Sequence, residues 1–202
     1  MREERPDDLR WARGISAATY RRLGSKAFMT EYAWVVYAAG FRVSTLQLKW
    51  PALKKAYGMF RLDYVARMNS MARVLKVFAN ARKARSVVQG ARLVSAESFK
   101  VFKRRMSSEG ADGLLQLPGI GPITKDHLAR NIGLAATGKG DIWVLRIAKA
   151  VDTSDWIGML GYVSRRTKFG AGTVDLILWQ FCADNAWRGL GYRSFSSYVR
   201  SR

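Results

Sequence analysis

One stretch of the chain combines the residue types that can hold a phosphate group. Residues 117–124 read LPGIGPIT. Gly119 and Gly121 lack a Cβ, so the backbone there can turn tightly and come close to a ligand. A helix that opens directly after such a turn presents backbone N–H groups with the positive end of its dipole behind them, which suits a phosphate. The pattern is typical of a helix-hairpin-helix over residues 113–134. The alternative interpretation is an ordinary Gly/Pro turn between two helices.

Four side chains could perform acid–base chemistry. Asp141 opens a helix 18 positions after Ile123, and His127 lies on the helix that follows the turn. Glu31 and Asp175 each lie inside an otherwise apolar helix, where a charge without a partner is costly. All four are catalytic candidates. Each also has a structural explanation: an N-cap for Asp141, packing for His127, a surface helix position for Glu31 and a first-turn acid for Asp175.

The charge of the chain indicates a polyanionic partner. Its 202 residues include 35 Lys and Arg against 15 Asp and Glu, a net charge of +20. Such an excess is typical of nucleic-acid binding. An anionic membrane is disfavoured because the basic residues are spread over many helices and do not form one amphipathic face. We therefore expect DNA phosphates to be bound by residues of the hairpin and of the basic segment 80–84, namely Gly119, Gly121, Ile123, Thr124, Lys125 and Lys83.

Other classes of protein are disfavoured by composition. A hydrophobic content of 49% excludes general disorder. Cys182 and His127 are the single residues of their types, which disfavours disulfides, cysteine clusters and a zinc site. No apolar run approaches the roughly 20 residues of a membrane helix, and the first residues lack a signal sequence. We expect a cytoplasmic protein that does not bind membranes.

Helical periodicity dominates the chain and no convincing strand pattern occurs. We expect an all-α fold, with a flexible arm over residues 1–14 and a single helical domain over 15–202. Ser95 is the expected N-cap of one helix. The predicted helices cover 27–39, 45–57, 63–78, 81–94, 95–106, 123–132, 141–151, 156–162 and 173–185.

The hairpin, followed by a loop and an acidic residue that opens the next helix, resembles the helix-hairpin-helix DNA glycosylase superfamily. The resemblance covers about residues 25–187 and implies a two-lobed helical fold. It implies a base flipped into a pocket, with Asp141 facing the reactive nucleotide. It also implies a monovalent cation, K⁺ or Na⁺, at hairpin carbonyls near Leu117 and Gly119. Tyr37 and Trp143 are interpreted as core residues, or could instead stack on the base, and Arg146 could contact the substrate or form a structural ion pair.

One position separates the chain from the strand-cleaving members of this superfamily. Those members carry a Schiff-base lysine two residues after the second hairpin glycine, where this chain has Ile123. Lys125 lies two positions further, about 200° around the helix at 3.6 residues per turn. A lyase reaction through that lysine is therefore disfavoured.

A closer resemblance is carried by three segments. They are GPITKDHLARNIGL at 121–134, GDIWVLRIA at 140–148 and VDLILWQFC at 174–182. They resemble the phage α-glutamyl/putrescinyl-thymine pyrophosphorylase family, whose members include amino acid:DNA transferases. That branch has Pro-Asp-Arg-His where this chain has Gly-Asp-Ile-Trp at 140–143.

The closer resemblance implies a DNA-modifying reaction. An amine, either an amino acid or a polyamine, displaces pyrophosphate from a pyrophosphorylated 5-hydroxymethyluracil in phage DNA. It implies a monomer in the host cytoplasm that needs no cofactor beyond the amine co-substrate. Departure of pyrophosphate needs cations and amides more than a protein nucleophile, and a carboxylate such as Asp141 could take the proton of the amine or orient it. Two alternatives remain: a monofunctional base-excision glycosylase, and a non-catalytic helix-hairpin-helix DNA-binding protein.

Overall fold

The computed structural model describes residues 17–183 and 186–200, and all regular structure in these ranges is helical. The all-α prediction is confirmed. The contacts between residues divide the described chain into two compact units, one of residues 17–135 and one that contains residues 136–200. The predicted arm, residues 1–14, lies outside the described residues.

The unit of residues 17–135 contains eight α-helices. They are α1 (Ala17–Arg22), α2 (Ser25–Ala38), α3 (Val43–Ala56), α4 (Leu62–Ala66), α5 (Ala72–Val77), α6 (Ala81–Ala96), α7 (Phe99–Glu109) and α8 (Pro122–Ile132). Two 3₁₀ turns, Gly58–Phe60 and Asp112–Gln116, connect α3 to α4 and lead into the hairpin.

Helix α2 forms the centre of this unit. Its residues Phe28, Met29, Tyr32, Val35 and Tyr37 are 0–1% exposed. A helix that is apolar around most of its circumference is buried on several sides, and α2 contacts α3, α4, α6 and α8. The hairpin helix α8 is thus anchored directly on the core.

The unit of residues 136–200 has a smaller core. Helices α9 (Ile142–Ala150), α10 (Trp156–Thr167) and α11 (Ala171–Ala183) pack around Val144, Leu160 and Val174. The 3₁₀ turn Ala186–Leu190 and α12 (Phe195–Arg200) follow. Trp187 joins them to the rest of the unit, with its ring centroid 5.4 Å from that of Phe195 and 6.2 Å from that of Trp143.

Two predicted elements were wrong. The helix predicted over 63–78 is broken into α4 and α5, and the segment between them contains Asn69 and Ser70, whose side chains compete with the helix for backbone hydrogen bonds. Ser95 is not an N-cap, because it lies inside α6; α7 begins after Ser98, which has a φ of 66°.

No described helix has the length and apolarity needed to cross a membrane.

Candidate nucleic-acid interface and candidate active site

The hairpin turn is fixed to the core by one tyrosine. Gly119 has a φ of +81°, a conformation that L side chains rarely adopt. The buried Tyr32 hydroxyl lies 2.6 Å from the Pro118 carbonyl and 2.8 Å from the Ser86 carbonyl, sharing its one proton between them. Leu117 and Ile120 are buried on either side of the turn. The turn is therefore a preorganised surface.

The start of α8 differs in one respect from the expectation. The hydroxyl of Thr124 accepts the N–H of Gly121 at 2.7 Å. The Gly121 amide, predicted to point outward unpaired, is therefore occupied, as is the Thr124 hydroxyl. The amides of Ile123 and Thr124 lie in the first helical turn, before the first helical bond, which runs from Lys125 N–H to the Gly121 carbonyl. The side chain of Ile123 is 50% exposed.

Lys125 is engaged in an ion pair. Its Nζ lies 2.9 Å from the Asp112 carboxylate and 3.3 Å from that of Asp126. The hydrogen bond to Asp112 raises the pKa of Lys125 above its ordinary value. The pair joins the 3₁₀ turn before the hairpin to α8. Lys125 thus stabilises the motif, and its charge toward a phosphate is partly neutralised.

The residues at the predicted cation position have the right donor type. The carbonyl of Leu117 accepts the N–H of Ile120 at 3.0 Å, and a carbonyl oxygen has a second lone pair. Neutral carbonyl oxygens are the groups that replace the hydration shell of K⁺ in proteins. Leu117 and Gly119 therefore fit a monovalent cation by chemistry, and their role as its ligands stays a prediction.

Lys83 is a correction to the predicted DNA contacts. It is 6% exposed, and its Nζ donates to the carbonyls of Val36 at 2.5 Å and Ala39 at 2.7 Å. Burial and the neighbouring Arg82 lower the pKa of Lys83 to about 8. The ammonium caps the C-terminal end of α2, where a cation complements the helix dipole. It has no access to a phosphate.

Tyr37 is a second correction. It is 0% exposed, its hydroxyl lies 2.9 Å from that of Tyr57, and its ring packs edge-on against Phe78. Burial raises the pKa of Tyr37 to about 12. Because the ring belongs to the core, it cannot stack on a base.

Glu31 belongs to a partly buried polar network between α2 and α8. Asn131 donates to its carboxylate at 3.0 Å, and the side chain of Arg130 lies 3.4 Å from the amide oxygen of Asn131. Burial raises the pKa of Glu31, and the Asn131 bond, Lys54 and Arg130 oppose that shift. A carboxylate in such surroundings is a candidate for proton transfer. His127 is half-buried on the same helix α8.

Asp141 is held by three hydrogen bonds or ion pairs. Its Oδ1 accepts the N–H groups of Trp143 at 2.9 Å and Val144 at 3.1 Å, and its Oδ2 lies 3.0 Å from Lys139 Nζ. The N-cap explanation of Asp141 is confirmed. It leaves the catalytic prediction open, because a carboxylate fixed in this way is also well oriented for a substrate.

Two contacts between a cation and an aromatic ring lie in the unit that contains Asp141. The guanidinium of Arg146 lies 5.0 Å from the Trp143 ring centre, and Lys139 Nζ lies 5.3 Å from that of Trp179. Asp175 is fully buried and accepts the Lys139 N–H at 3.3 Å. Lys139 thus links the two acids, because its ammonium pairs with Asp141 and its backbone N–H bonds Asp175.

Cys182 also lies near Asp141. Burial, together with the negative charge of Asp141, raises the pKa of the Cys182 thiol to about 11. The thiol stays protonated at neutral pH and is inert as a nucleophile. Among the described residues no three His, Cys, Asp or Glu side chains are grouped to hold a metal ion.

Three residues that organise these sites were not predicted from the sequence: Lys139, Asn131 and Tyr32. Lys139 lies in a loop without periodicity, so no pattern marked it. Asn131 and Tyr32 act through contacts with residues far away in the chain. The four catalytic candidates fall in both units, with Glu31 and His127 in residues 17–135 and the other two in residues 136–200. Comparison with known proteins gives no matching family model, curated protein or solved structure.

Proposed function

We propose that the protein modifies a base of DNA, transferring an amine to the methylene of a pyrophosphorylated 5-hydroxymethyluracil. The observation that carries the proposal is the fixed carboxylate of Asp141, which accepts the backbone N–H groups of Trp143 and Val144 and pairs with Lys139. The amino-acid sequences of the three segments that resemble the thymine-modifying family support this chemistry over DNA binding without catalysis.

The proposed reaction exchanges one bond for another. The C–O bond from the methylene to pyrophosphate breaks, and the leaving group takes the electron pair. The amine nitrogen forms the new C–N bond and then loses a proton. Arg146 carries the positive charge that stabilises departing pyrophosphate, Lys139 positions Asp141 through their ion pair, and Asp141 orients the amine or accepts its proton. Trp143, half-buried on the same helix, offers a ring to the extruded base.

The DNA strand is expected to bind through the hairpin. The preorganised turn at Gly119 and the amides at the start of α8 provide neutral donors to one phosphate. Ile123 stands where a Schiff-base lysine would be needed, so the proposed chemistry has no strand-cleaving step.

The test offers the protein DNA that carries the pyrophosphorylated base, together with pooled amino acids and polyamines. The DNA is then digested to nucleosides and analysed by mass spectrometry. We expect an amine adduct and released pyrophosphate. Free base with abasic sites would indicate a monofunctional glycosylase instead, and retarded DNA without any product would leave only a binding protein.

Asp141→Asn is the decisive variant. Asparagine is as good an N-cap as aspartate, so α9 keeps its start while the charge is lost. We expect the product to disappear and DNA affinity to stay the same or rise. Persistent turnover in a folded Asp141→Asn protein would contradict the assignment of this residue.

A further inference from the structure

An open pocket of about 680 Å³ lies on the unit of residues 17–135, away in sequence from the hairpin. It is formed by the segment that leads through α4 into α5, and its lining includes Arg61, Asp63, Tyr64, Arg67, Asn69 and Arg73. Its volume lies within the range of about 300–1,000 Å³ typical of ligand sites. Neither the hairpin nor the Asp141 neighbourhood includes these residues.

The charged residues of the lining are three arginines and one aspartate. Asp63 pairs with Arg61 at 2.9 Å and with Arg67 at 3.5 Å, while Arg73 has no acidic partner among the ion pairs of the described residues. Three guanidinium groups against one carboxylate leave a net charge of +2 in the pocket. Arginine presents a planar set of donors that matches phosphate oxygens, and a phosphate is therefore the anion this lining suits best.

The backbone beneath the pocket is held in place. The guanidinium of Arg92 on α6 donates to the carbonyls of Ala66 at 3.1 Å and Met68 at 2.8 Å, on either side of Arg67. Val65 is fully buried and anchors α4 on the core. The arginines of the pocket therefore project from a fixed surface.

An aromatic ring completes the pocket. Tyr64 is 38% exposed and lies against Gly58, where an added Cβ would come within 2.4 Å of the ring. Gly58 has a φ of +57°, and Phe60, which follows in the same turn, is buried against Tyr57 and Trp50. The Tyr64 ring thus packs against a turn that is itself anchored on the core. A supported and partly exposed tyrosine beside arginines is the combination on which unpaired bases stack.

We propose that this pocket binds an unpaired nucleotide of a nucleic-acid strand, with its phosphate on Arg67 and Arg73 and its base on Tyr64. The site goes beyond the proposed function, because it requires neither Asp141 chemistry nor the hairpin. It would hold single-stranded nucleic acid. A base paired within a duplex has no face free for Tyr64.

The test measures binding of a fluorescent oligothymidylate and of a blunt duplex by anisotropy, using the full chain. Three variants are compared: Tyr64→Leu, the double variant Arg67→Ala/Arg73→Ala, and the charge-matched control Lys55→Ala/Lys76→Ala. Lys55 and Lys76 are exposed and lie outside the pocket lining. Circular dichroism confirms that each variant is folded.

We expect Tyr64→Leu to weaken oligothymidylate binding roughly tenfold, as for the loss of one stacked base, with little effect on the duplex. The double arginine variant should lower the salt dependence of single-strand binding by about 1.4 in log–log slope. The control should reduce single-strand binding less than the double arginine variant does.

Three results would overturn the proposal: Tyr64→Leu that binds the oligonucleotide normally, a control that weakens binding as much as the arginine variant, or thymidine monophosphate that competes as strongly as the strand. The last result would indicate a free-nucleotide site. A parallel variant, Ile123→Asp, tests the hairpin through duplex binding. If Ile123→Asp loses duplex binding while the pocket variants bind the oligonucleotide normally, the pocket proposal alone is rejected. If the pocket variants lose oligonucleotide binding while Ile123→Asp binds the duplex normally, the hairpin contact alone is rejected.

Discussion

At the scale of single residues, Asp141 combines a structural and a proposed chemical role. One oxygen caps α9, and the other faces the ammonium of Lys139. The two roles are compatible, since the cap bonds fix the carboxylate and leave its second oxygen to the ion pair. Lys139 is the residue that determines where the second oxygen points.

Replacing Lys139 therefore tests positioning separately from helix capping. Lys139→Gln removes the ion pair and leaves the cap bonds of Asp141 unchanged. We expect turnover to fall on the order of a hundredfold, as for a misplaced reacting group, with the folded structure retained. Lys149→Gln, on the exposed face of α9, is the charge-matched control. Equal turnover in the two variants would show that Lys139 contributes only general charge.

Glu31 gives a pH-dependent prediction at the same scale. Burial raises its pKa in the folded protein above the ordinary value of 4.5. A group with a raised folded-state pKa contributes stability that is fully present below its unfolded pKa and is lost as pH rises through the folded pKa. At neutral pH the ionised carboxylate therefore costs stability.

Glu31→Gln should consequently be more stable than the parent protein at neutral pH, on the order of 1 kcal/mol, and the difference should shrink toward about pH 4. The glutamine oxygen can still accept the bond from Asn131. Urea denaturation at both pH values measures the effect. A variant that is less stable than the parent at neutral pH would show that the attraction of Arg130 and Lys54 outweighs the burial of Glu31.

At the scale of elements, local signals predicted the boundaries at Gly133 and Asp141 correctly and the N-cap at Ser95 wrongly. Gly133, with a φ of 75°, ends α8 as expected, and Asp141 opens α9 through its own side chain. These signals are written in a few neighbouring residues. The apolar spacing typical of a helix continues across Asn69 and Ser70. Periodicity alone therefore could not reveal the break between α4 and α5.

Burial of individual side chains could not be predicted in the same way. Lys83 lies in a basic segment typical of a DNA contact. Its role as a helix cap depends on carbonyls at the end of α2, more than 40 positions earlier in the chain. Tyr37 is equally ambiguous in sequence, because core and stacking aromatics share the same composition. The burial of both side chains depends on packing between helices that are distant in sequence.

Lys83→Met tests this reassignment. The methionine fills the buried space of the lysine stem but cannot bond the carbonyls of Val36 and Ala39. We expect a loss of about 1.5–3 kcal/mol in the free energy of unfolding, the usual contribution of hydrogen bonds from a charged group, and unchanged DNA affinity once the protein is folded. Arg85 is exposed on the same helix. Arg85→Met should therefore lower DNA affinity and leave the free energy of unfolding nearly unchanged. A large loss of DNA affinity with normal stability in Lys83→Met would restore the phosphate contact.

At the scale of the whole molecule, charge is distributed unevenly between the two units. Residues 17–135 carry 21 Lys and Arg and 6 Asp and Glu, which is +15, whereas residues 136–202 carry 10 and 5, which is +5. The unit that contains the hairpin and the arginine pocket therefore accounts for most of the positive charge. The unit that contains Asp141 is closer to neutral.

Salt dependence provides the measurement at this scale. A protein that neutralises several phosphates releases counterions, and its affinity falls steeply with ionic strength. We expect duplex binding to weaken by roughly a thousandfold between about 50 and 200 mM salt. A nearly flat salt response, measured by anisotropy, would contradict phosphate-dominated binding by this unit.

Under the proposed function, the uneven charge has a consequence for how a target base would be found. Contacts to phosphates carry no base sequence, so the unit of residues 17–135 would bind any stretch of DNA and slide along it between short dissociations. Recognition of the target base would then be the task of the less charged unit, which contains Asp141. The proposal thus separates the search for a base from its recognition within one chain.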